Sequence, residues 1–337
     1  MKKNVFQWMV VALALLGLTQ VSQAQDKLLN ASYDVGREVY ASINKSFIPY
    51  WKAKTGKDVT IDQSHAGSSA QARSVLEGLE ADVVTFNQVT DVQRLVKGGL
   101  VAQDWQKRLP HNASPFYSVH GILVRKGNPK GITNWDDLAK PGVKIVQVNP
   151  KTGGNGRYAV LAYYGYALKK NNGDEAKARA FLKSILANVE VFERGGRAAT
   201  TAFTERGIGD VLVTFESETL QLAASGEYEV VTPSASVLSE FPVAVVETYA
   251  RKHKTLELAK GYLEYLYTPE AQDIIAKTYY RPRNEEVAKK HSSTFKAVDA
   301  FEVSDTFGGD DAAQKKFFDN NALVDQILAE IAQQRNR

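Results

Sequence analysis

The chain has 337 residues, of which 44% are hydrophobic and 10% aromatic, enough apolar side chain for a large core or for two lobes. Its 42 Lys and Arg stand against 38 Asp and Glu, a formal net charge of +4 with no long basic run, which argues against nucleic acid or a membrane surface as partner. It has no cysteine, which excludes disulfides and thiolate chemistry.

Lys2 and Lys3 precede an apolar stretch from Val10 to Leu18, and Ser22-Gln23-Ala24 has the small-x-small form of a cleavage site. Residues 1–24 therefore read as a secretory signal peptide, with Gln25 opening the mature chain. A membrane anchor needs about 20 apolar residues, more than this run provides. No cysteine follows the site for lipid attachment. The mature chain is expected to be exported, soluble and periplasmic, with any affinity for anions built locally.

Strand-like runs then alternate with amphipathic helices, the pattern of an α/β fold whose mostly parallel sheet is flanked by helices. Leu28 to Tyr33 reads as a strand leading through Asp34 and Gly36 into a helix from about Arg37, where Val39, Ile43 and Phe47 form an apolar stripe. Val59 to Gln63 leads through His65 to Ser69 into a helix over Gln71 to Leu79. A break rich in Pro, Asn and Ser, Pro110 to Pro115, precedes a strand over Val119 to Arg125. Val143 to Val148 leads through Asn149-Pro150-Lys151-Thr152-Gly153-Gly154-Asn155-Gly156-Arg157 into a helix over Tyr158 to Lys169. Val189 to Phe192 is followed by Gly195, Gly196 and a helix over Arg197 to Arg206. Asp210 to Phe215 runs directly into a helix over Glu216 to Ala224. A second break, Thr232 to Pro242, precedes a strand over Val243 to Tyr249, and the remainder reads as helices, one opened by Pro269. The two breaks suggest one lobe over residues 25–115 and 245–337 and a second over 116–244.

The strand-to-helix connections carry the chemistry. Glycines let the backbone come close to a ligand, the first N–H groups of a helix have no carbonyl partner, and the helix dipole favours negative charge. Several such connections at the carboxyl ends of strands can converge on one crevice. Other chemistries lack their signatures. The five histidines show no metal-ligand spacing, no Gly-x-Ser-x-Gly elbow occurs, and the glycine turn lacks the Lys-Ser/Thr of a P-loop. No cofactor and no metal are expected.

Ser32-Tyr33-Asp34, Gln63 to Ser69, Ala81 to Thr85, Leu123 to Pro129, Asn149-Pro150-Lys151, Glu205 to Leu212 and Tyr280 to Arg283 resemble the periplasmic sulfate- and thiosulfate-binding proteins of ABC importers. The chain looks more like the thiosulfate branch at His65 to Ser69, Phe86 to Asp91, Gly195-Gly196-Arg197 and Phe215 to Glu218. The resemblance implies a two-lobed type II periplasmic binding protein, monomeric and not an enzyme. It would close on a dehydrated dianion and deliver it to a membrane permease complex. It implies ligand donors at the backbone N–H groups of Asp34, Ser68, Gly153, Gly154, Asn155 and Gly196. Gly153 stands where the sulfate-binding proteins have a serine whose hydroxyl donates, and Phe215 where they have a tryptophan. Thr152, Asn155 or water is expected to make good the donor lost at Gly153, and Asp34 is expected to cap its own helix. The alternatives are a receptor for another oxyanion such as molybdate, or an exported enzyme acting on a sulfur oxyanion.

Overall fold

The computed structural model describes residues 26–335, and the expected signal peptide lies outside them. The chain opens with β1 (Asp26–Tyr33), a 3-10 turn (Asp34–Gly36) and α1 (Arg37–Thr55), then β2 (Val59–Ala66), α2 (Ser68–Leu76), β3 (Val83–Thr85) and α3 (Val89–Lys97). It continues through β4 (Phe116–Ser118), β5 (His120–Arg125), β6 (Ile145–Val148), α4 (Gly154–Lys170), α5 (Glu175–Ala187), β7 (Val189–Glu193) and α6 (Gly196–Thr204). Next come β8 (Val211–Phe215), α7 (Glu216–Ala223), β9 (Tyr228–Val231), β10 (Ala235–Val237), β11 (Ser239–Glu240) and β12 (Val243–Val245). The last elements that matter here are α8 (Leu256–Tyr265), α9 (Pro269–Lys277), β13 (Arg281–Pro282), β14 (Asp299–Phe301) and α10 (Leu323–Arg335).

Two sheets make two lobes. The first has the order β12-β3-β1-β2, with β1 parallel to both β2 and β3. The second has the order β7-β6-β8-β5-β9, with β6 parallel to β7 and β8. Between them, the crossing strands β4 and β11 pair antiparallel with each other, and β13 joins β4 on its far edge. Both crossings fall next to the breaks seen in the sequence. The rings of Phe116, Phe241 and Tyr280 pack at this junction, each pair of centroids 4.9 to 5.2 Å apart.

Helix α1 shows how the core selects the elements. Val39, Tyr40, Ile43, Phe47 and Trp51 are buried at helical spacing. Phe47 meets Tyr262 of α8 edge-on at 5.1 Å, and the Trp51 ring lies over Gly261, where a Cβ would come within 2.2 Å. This packing carries the helix through Pro49 to Gly56, whose φ of 75° ends it.

Three expectations change. The run Val243 to Tyr249 is a strand only to Val245, because it pairs antiparallel with the three residues of β3 and Glu247 then opens a helix. Helices α2 and α4 begin at Ser68 and Gly154, three and four residues earlier than the apolar periodicity indicates. The polar or glycine residues of those first turns carry no apolar stripe, so periodicity cannot see them. The end of the chain also differs from the expected return to the first lobe. Strand β14 pairs with β10, and α10 lies on α5, with Glu330 bridged to Arg179 and Lys183. Phe307 and Phe317 seat this tail on Tyr164 of α4.

Candidate functional site

Every residue implied by the resemblance lies where a strand of one sheet gives way to a helix or turn facing the other lobe. Asp34 follows β1, and Ser68 is the first residue of α2. Gly153 precedes α4, with Gly154 and Asn155 in its first turn. Gly196 opens α6, and Phe215 ends β8 immediately before α7. None of α2, α4, α6 and α7 is capped by the side chain of its own N-cap residue. Among the described residues, the N–H groups of Asp34, Ser68, Gly154, Asn155 and Gly196 make no hydrogen bond to a turn, loop or side chain. Uncapped first turns gathered in one place are unspent donors.

Short approaches bring these termini together across the lobes. A Cβ at Gly196 would meet Val35 Cγ1 at 2.7 Å, and one at Gly195 would meet Asp34 Oδ2 at 2.6 Å. One at Gly67 would lie 3.6 Å from the carbonyls of Thr152 and Arg194, and one at Gly154 would lie 2.9 Å from the Asn87 carbonyl. At Gly154 only a residue without a side chain lets the backbone come this close to backbone of the other lobe, while the 3.6 Å approach at Gly67 is an ordinary contact.

Three expectations are corrected by the local bonding. The Gly153 N–H donates to the Asn149 carbonyl at 3.1 Å and is spent inside its own turn, which leaves Gly154, Asn155 and Gly196 as the free donors of the second lobe. The Asp34 carboxylate does more than serve its own turn, for its Oδ2 accepts from the Arg197 N–H across the cleft at 3.0 Å while Oδ1 accepts from the Val35 N–H. The hydroxyl of Thr152 reaches the carbonyls of Asn149 and Arg194, and the Asn155 carboxamide is engaged on both sides, so neither replaces the donor lost at Gly153.

Behind the second-lobe donors runs a buried relay that sequence reasoning missed. Asn155 Nδ2 donates to Thr214 Oγ1 at 2.7 Å, and Thr214 Oγ1 donates to Glu218 Oε2 at 2.6 Å. Thr200 donates to the other oxygen of Glu218. At the other end, His120 Nε2 faces only acceptors, the backbone oxygen of Asn155 at 3.0 Å and its Oδ1 at 3.2 Å, so Nε2 carries the proton. Burial lowers the His120 pKa to about 4 and keeps the ring neutral. Burial raises the Glu218 pKa to about 7, against the pull of the two threonine hydroxyls and helped by the Asp34 carboxylate. Glu218 is close to the donors, for a Cβ at Gly196 would lie 3.7 Å from its Oε2. No local pattern marks the threonines, but an acid in the first turn after a strand is a pattern that sequence reasoning can seek.

Phe215 is fully buried, its ring 4.8 Å from His120 and 5.1 Å from Phe241. The arginines near the donors tie the lobes together. Arg157 of α4, 3% exposed, donates to Thr90 Oγ1 of α3 at 3.1 Å, and Arg197 pairs with Glu38 of α1 at 2.6 Å. Among the described residues no cluster of ligating side chains suits a metal ion, and no helix is long and apolar enough to cross a membrane.

The model of the family "Bacterial extracellular solute-binding protein" matches residues 38–281. The chain is 48% identical over 324 residues to the sulfate-binding protein of Escherichia coli K12, covering 95% of this chain and 98% of that one. It is 49% identical over 334 residues to the thiosulfate-binding protein of the same organism, covering 98% and 97%. The two branches are thus equally similar overall. The solved structure of the sulfate-binding protein SubI from Mycobacterium tuberculosis superposes with a TM-score of 0.79 at 30% identity, covering 88% of this chain and all of that one. A ferric binding protein from Campylobacter jejuni, at 19% identity and a TM-score of 0.59, shares the fold. This chain therefore belongs to the bacterial extracellular solute-binding proteins, alongside the sulfate- and thiosulfate-binding proteins that it matches over nearly its whole length.

Proposed function

We propose that the protein is a non-enzymatic periplasmic receptor that captures thiosulfate and sulfate and delivers them to an inner-membrane ABC transporter for sulfur uptake. The observation that carries this reading is the gathering of unspent backbone donors, Asp34 and Ser68 from one lobe and Gly154, Asn155 and Gly196 from the other, at uncapped helix starts and one strand end. A fully ionised tetrahedral anion satisfies such a set. A protonated oxyanion such as phosphate at neutral pH presents its own donor to donors and is rejected. The charge is spread over peptide dipoles, as at other helix N-termini, and Phe215 supplies an apolar wall suited to a large terminal sulfur that accepts hydrogen bonds poorly. The chain acts as a monomer, since the two lobes together complete the site.

A thermal-shift panel of thiosulfate, sulfate, molybdate, phosphate and ferric citrate tests the class of ligand. A ligand that binds only the folded chain raises its melting temperature by mass action. Thiosulfate and sulfate are expected to raise it most, and a larger shift with molybdate or ferric citrate contradicts the reading. Consumption of thiosulfate by the protein contradicts the non-enzymatic assignment.

Phe215→Trp tests the wall. The indole N–H would add one charge-assisted donor, so the ratio of sulfate to thiosulfate affinity is expected to rise about tenfold to a hundredfold. Competition calorimetry measures it, and an unchanged ratio in a folded variant removes Phe215 from the site. Gly153→Ser is less clean. Its φ of −145° suits any residue, but the new Cβ would come within 2.7 Å of Val148 Cγ1, an overpacking contact.

A further inference from the structure

Taking the site as an oxyanion site, the fold leaves open which groups replace the two side-chain donors that Gly153 and Phe215 lack. In the second lobe Thr152, Asn155, Thr200 and Thr214 have their side chains committed, while Ser217 Oγ of α7 and Gln147 Nε2 of β6 are buried without a partner among the described residues. The first lobe offers two more such groups, and these stand against the glycine turn. Ser68 is wholly buried at the start of α2, and its hydroxyl has no hydrogen-bond partner among the described residues. Its neighbour Ser69, by contrast, donates to both oxygens of Asp91 at 3.0 Å. Asn87, 3% exposed, follows β3, and its Oδ1 is buried without a partner. No hydrogen bond among the described residues engages its Nδ2 either.

Both residues face the glycine turn of the other lobe. The residue before Ser68 approaches Thr152, and Asn87 Oδ1 lies 2.3 Å from where a Cβ of Gly154 would stand. Gln88, next in sequence, donates to the Gly154 carbonyl at 3.4 Å and fixes this stretch against the turn. A half-turn about the Asn87 Cβ–Cγ bond exchanges Oδ1 for Nδ2 without moving another atom, which aims a donor at the same place. Buried polar side chains are almost always paired, so two unpaired ones beside the same set of free N–H groups mark a ligand that pairs them.

We infer that the Ser68 hydroxyl and the Asn87 carboxamide are the side-chain donors to the bound oxyanion, and that this protein has moved that role from the second lobe to the first. Side-chain selection among anions then resides at the ends of β2 and β3. It acts only on closure, when the first lobe meets the Gly154 turn.

The test is calorimetric titration of the full mature chain and of Ser68→Ala, Asn87→Ala and Asn87→Asp with sodium thiosulfate and sodium sulfate at pH 7, with melting temperatures recorded without ligand. Each alanine variant is expected to bind at least one of the two anions about tenfold or more weakly, with a ligand-free melting temperature equal to or above that of the wild type. Asn87→Asp keeps the shape but turns a carboxylate toward the anion, and is expected to bind more weakly than Asn87→Ala. Unchanged affinities in the alanine variants overturn the inference, as does an Asn87→Asp protein that binds like the wild type. Failure of the wild-type protein to bind either anion overturns the functional reading, and this inference with it.

Discussion

Gly154→Ala is expected to fold normally and to lose at least about a hundredfold in affinity for its anion. Gly154 sits in the first turn of α4, where an alanine costs the helix nothing. Its Cβ, however, would stand 2.3 Å from Asn87 Oδ1, 2.4 Å from Gln88 Cγ and 2.9 Å from the Asn87 carbonyl. The first two contacts can rotate away. The third is backbone of the opposite lobe, so the lobes must stay apart. An ajar cleft forfeits the donors of one side, and two charge-assisted hydrogen bonds at about 1.5–3 kcal/mol each correspond to two to four decades of affinity. Calorimetry, together with a ligand-free melting curve, separates this from misfolding. Wild-type affinity in the variant would show that the turn is never pressed against the first lobe.

Affinity is also expected to fall as pH rises through about 7, by up to about tenfold per pH unit above it, and Glu218→Gln is expected to flatten that profile. Glu218 ordinarily titrates near 4.5, and burial raises its pKa to about 7. The charged groups that face it are Asp34, which favours its protonation, and Arg197, which opposes it. His120, at the far end of the relay, has its pKa lowered to about 4 and stays neutral through this range. A dianion held by the Gly196 N–H beside Glu218 favours the protonated acid further, so binding near pH 7 takes up a proton, about half a proton per anion. Titration in two buffers of different ionisation enthalpy reads that uptake directly. Zero uptake at pH 7 would place Glu218 out of reach of the anion's field. The same raised pKa makes a stability statement. The contribution of Glu218 to folding is fully present below about 4.5 and is lost as pH rises through about 7.

Much of this was legible in the sequence, for identifiable reasons. Strand and helix cores announce themselves by period, so β1, β6, β7 and β8 fall within one or two residues of where the apolar runs place them. The glycine turns at 153–156 and 195–196 stand out because close backbone approach needs them. What the sequence hid depends on the meeting of the two lobes. Asn87 and Gln88 are visible only as part of a family-like stretch, and nothing local says that they press on Gly154. Asp34 reads as a helix cap because its partner, the Arg197 N–H, lies 163 residues away. The Gly153 N–H reads as a ligand donor until the turn from Asn149 closes on it. The tail from β14 to α10 reads only as helix, since its place on α5 and the pairing of β14 with β10 rest on ion pairs, ring contacts and a three-residue strand without periodicity. Glu218 looks like one more acid on a solvated helix until Thr200 and Thr214 are seen to enclose it.

The central claim is that backbone donors, without a titrating or charged partner matched to a proton on the ligand, select a fully ionised anion. Calorimetric titration of the mature wild-type chain at pH 7 with thiosulfate, sulfate and phosphate tests it most directly. The account predicts micromolar or tighter binding of thiosulfate and sulfate, and phosphate at least about a hundredfold weaker. Phosphate binding as tightly as sulfate would contradict it.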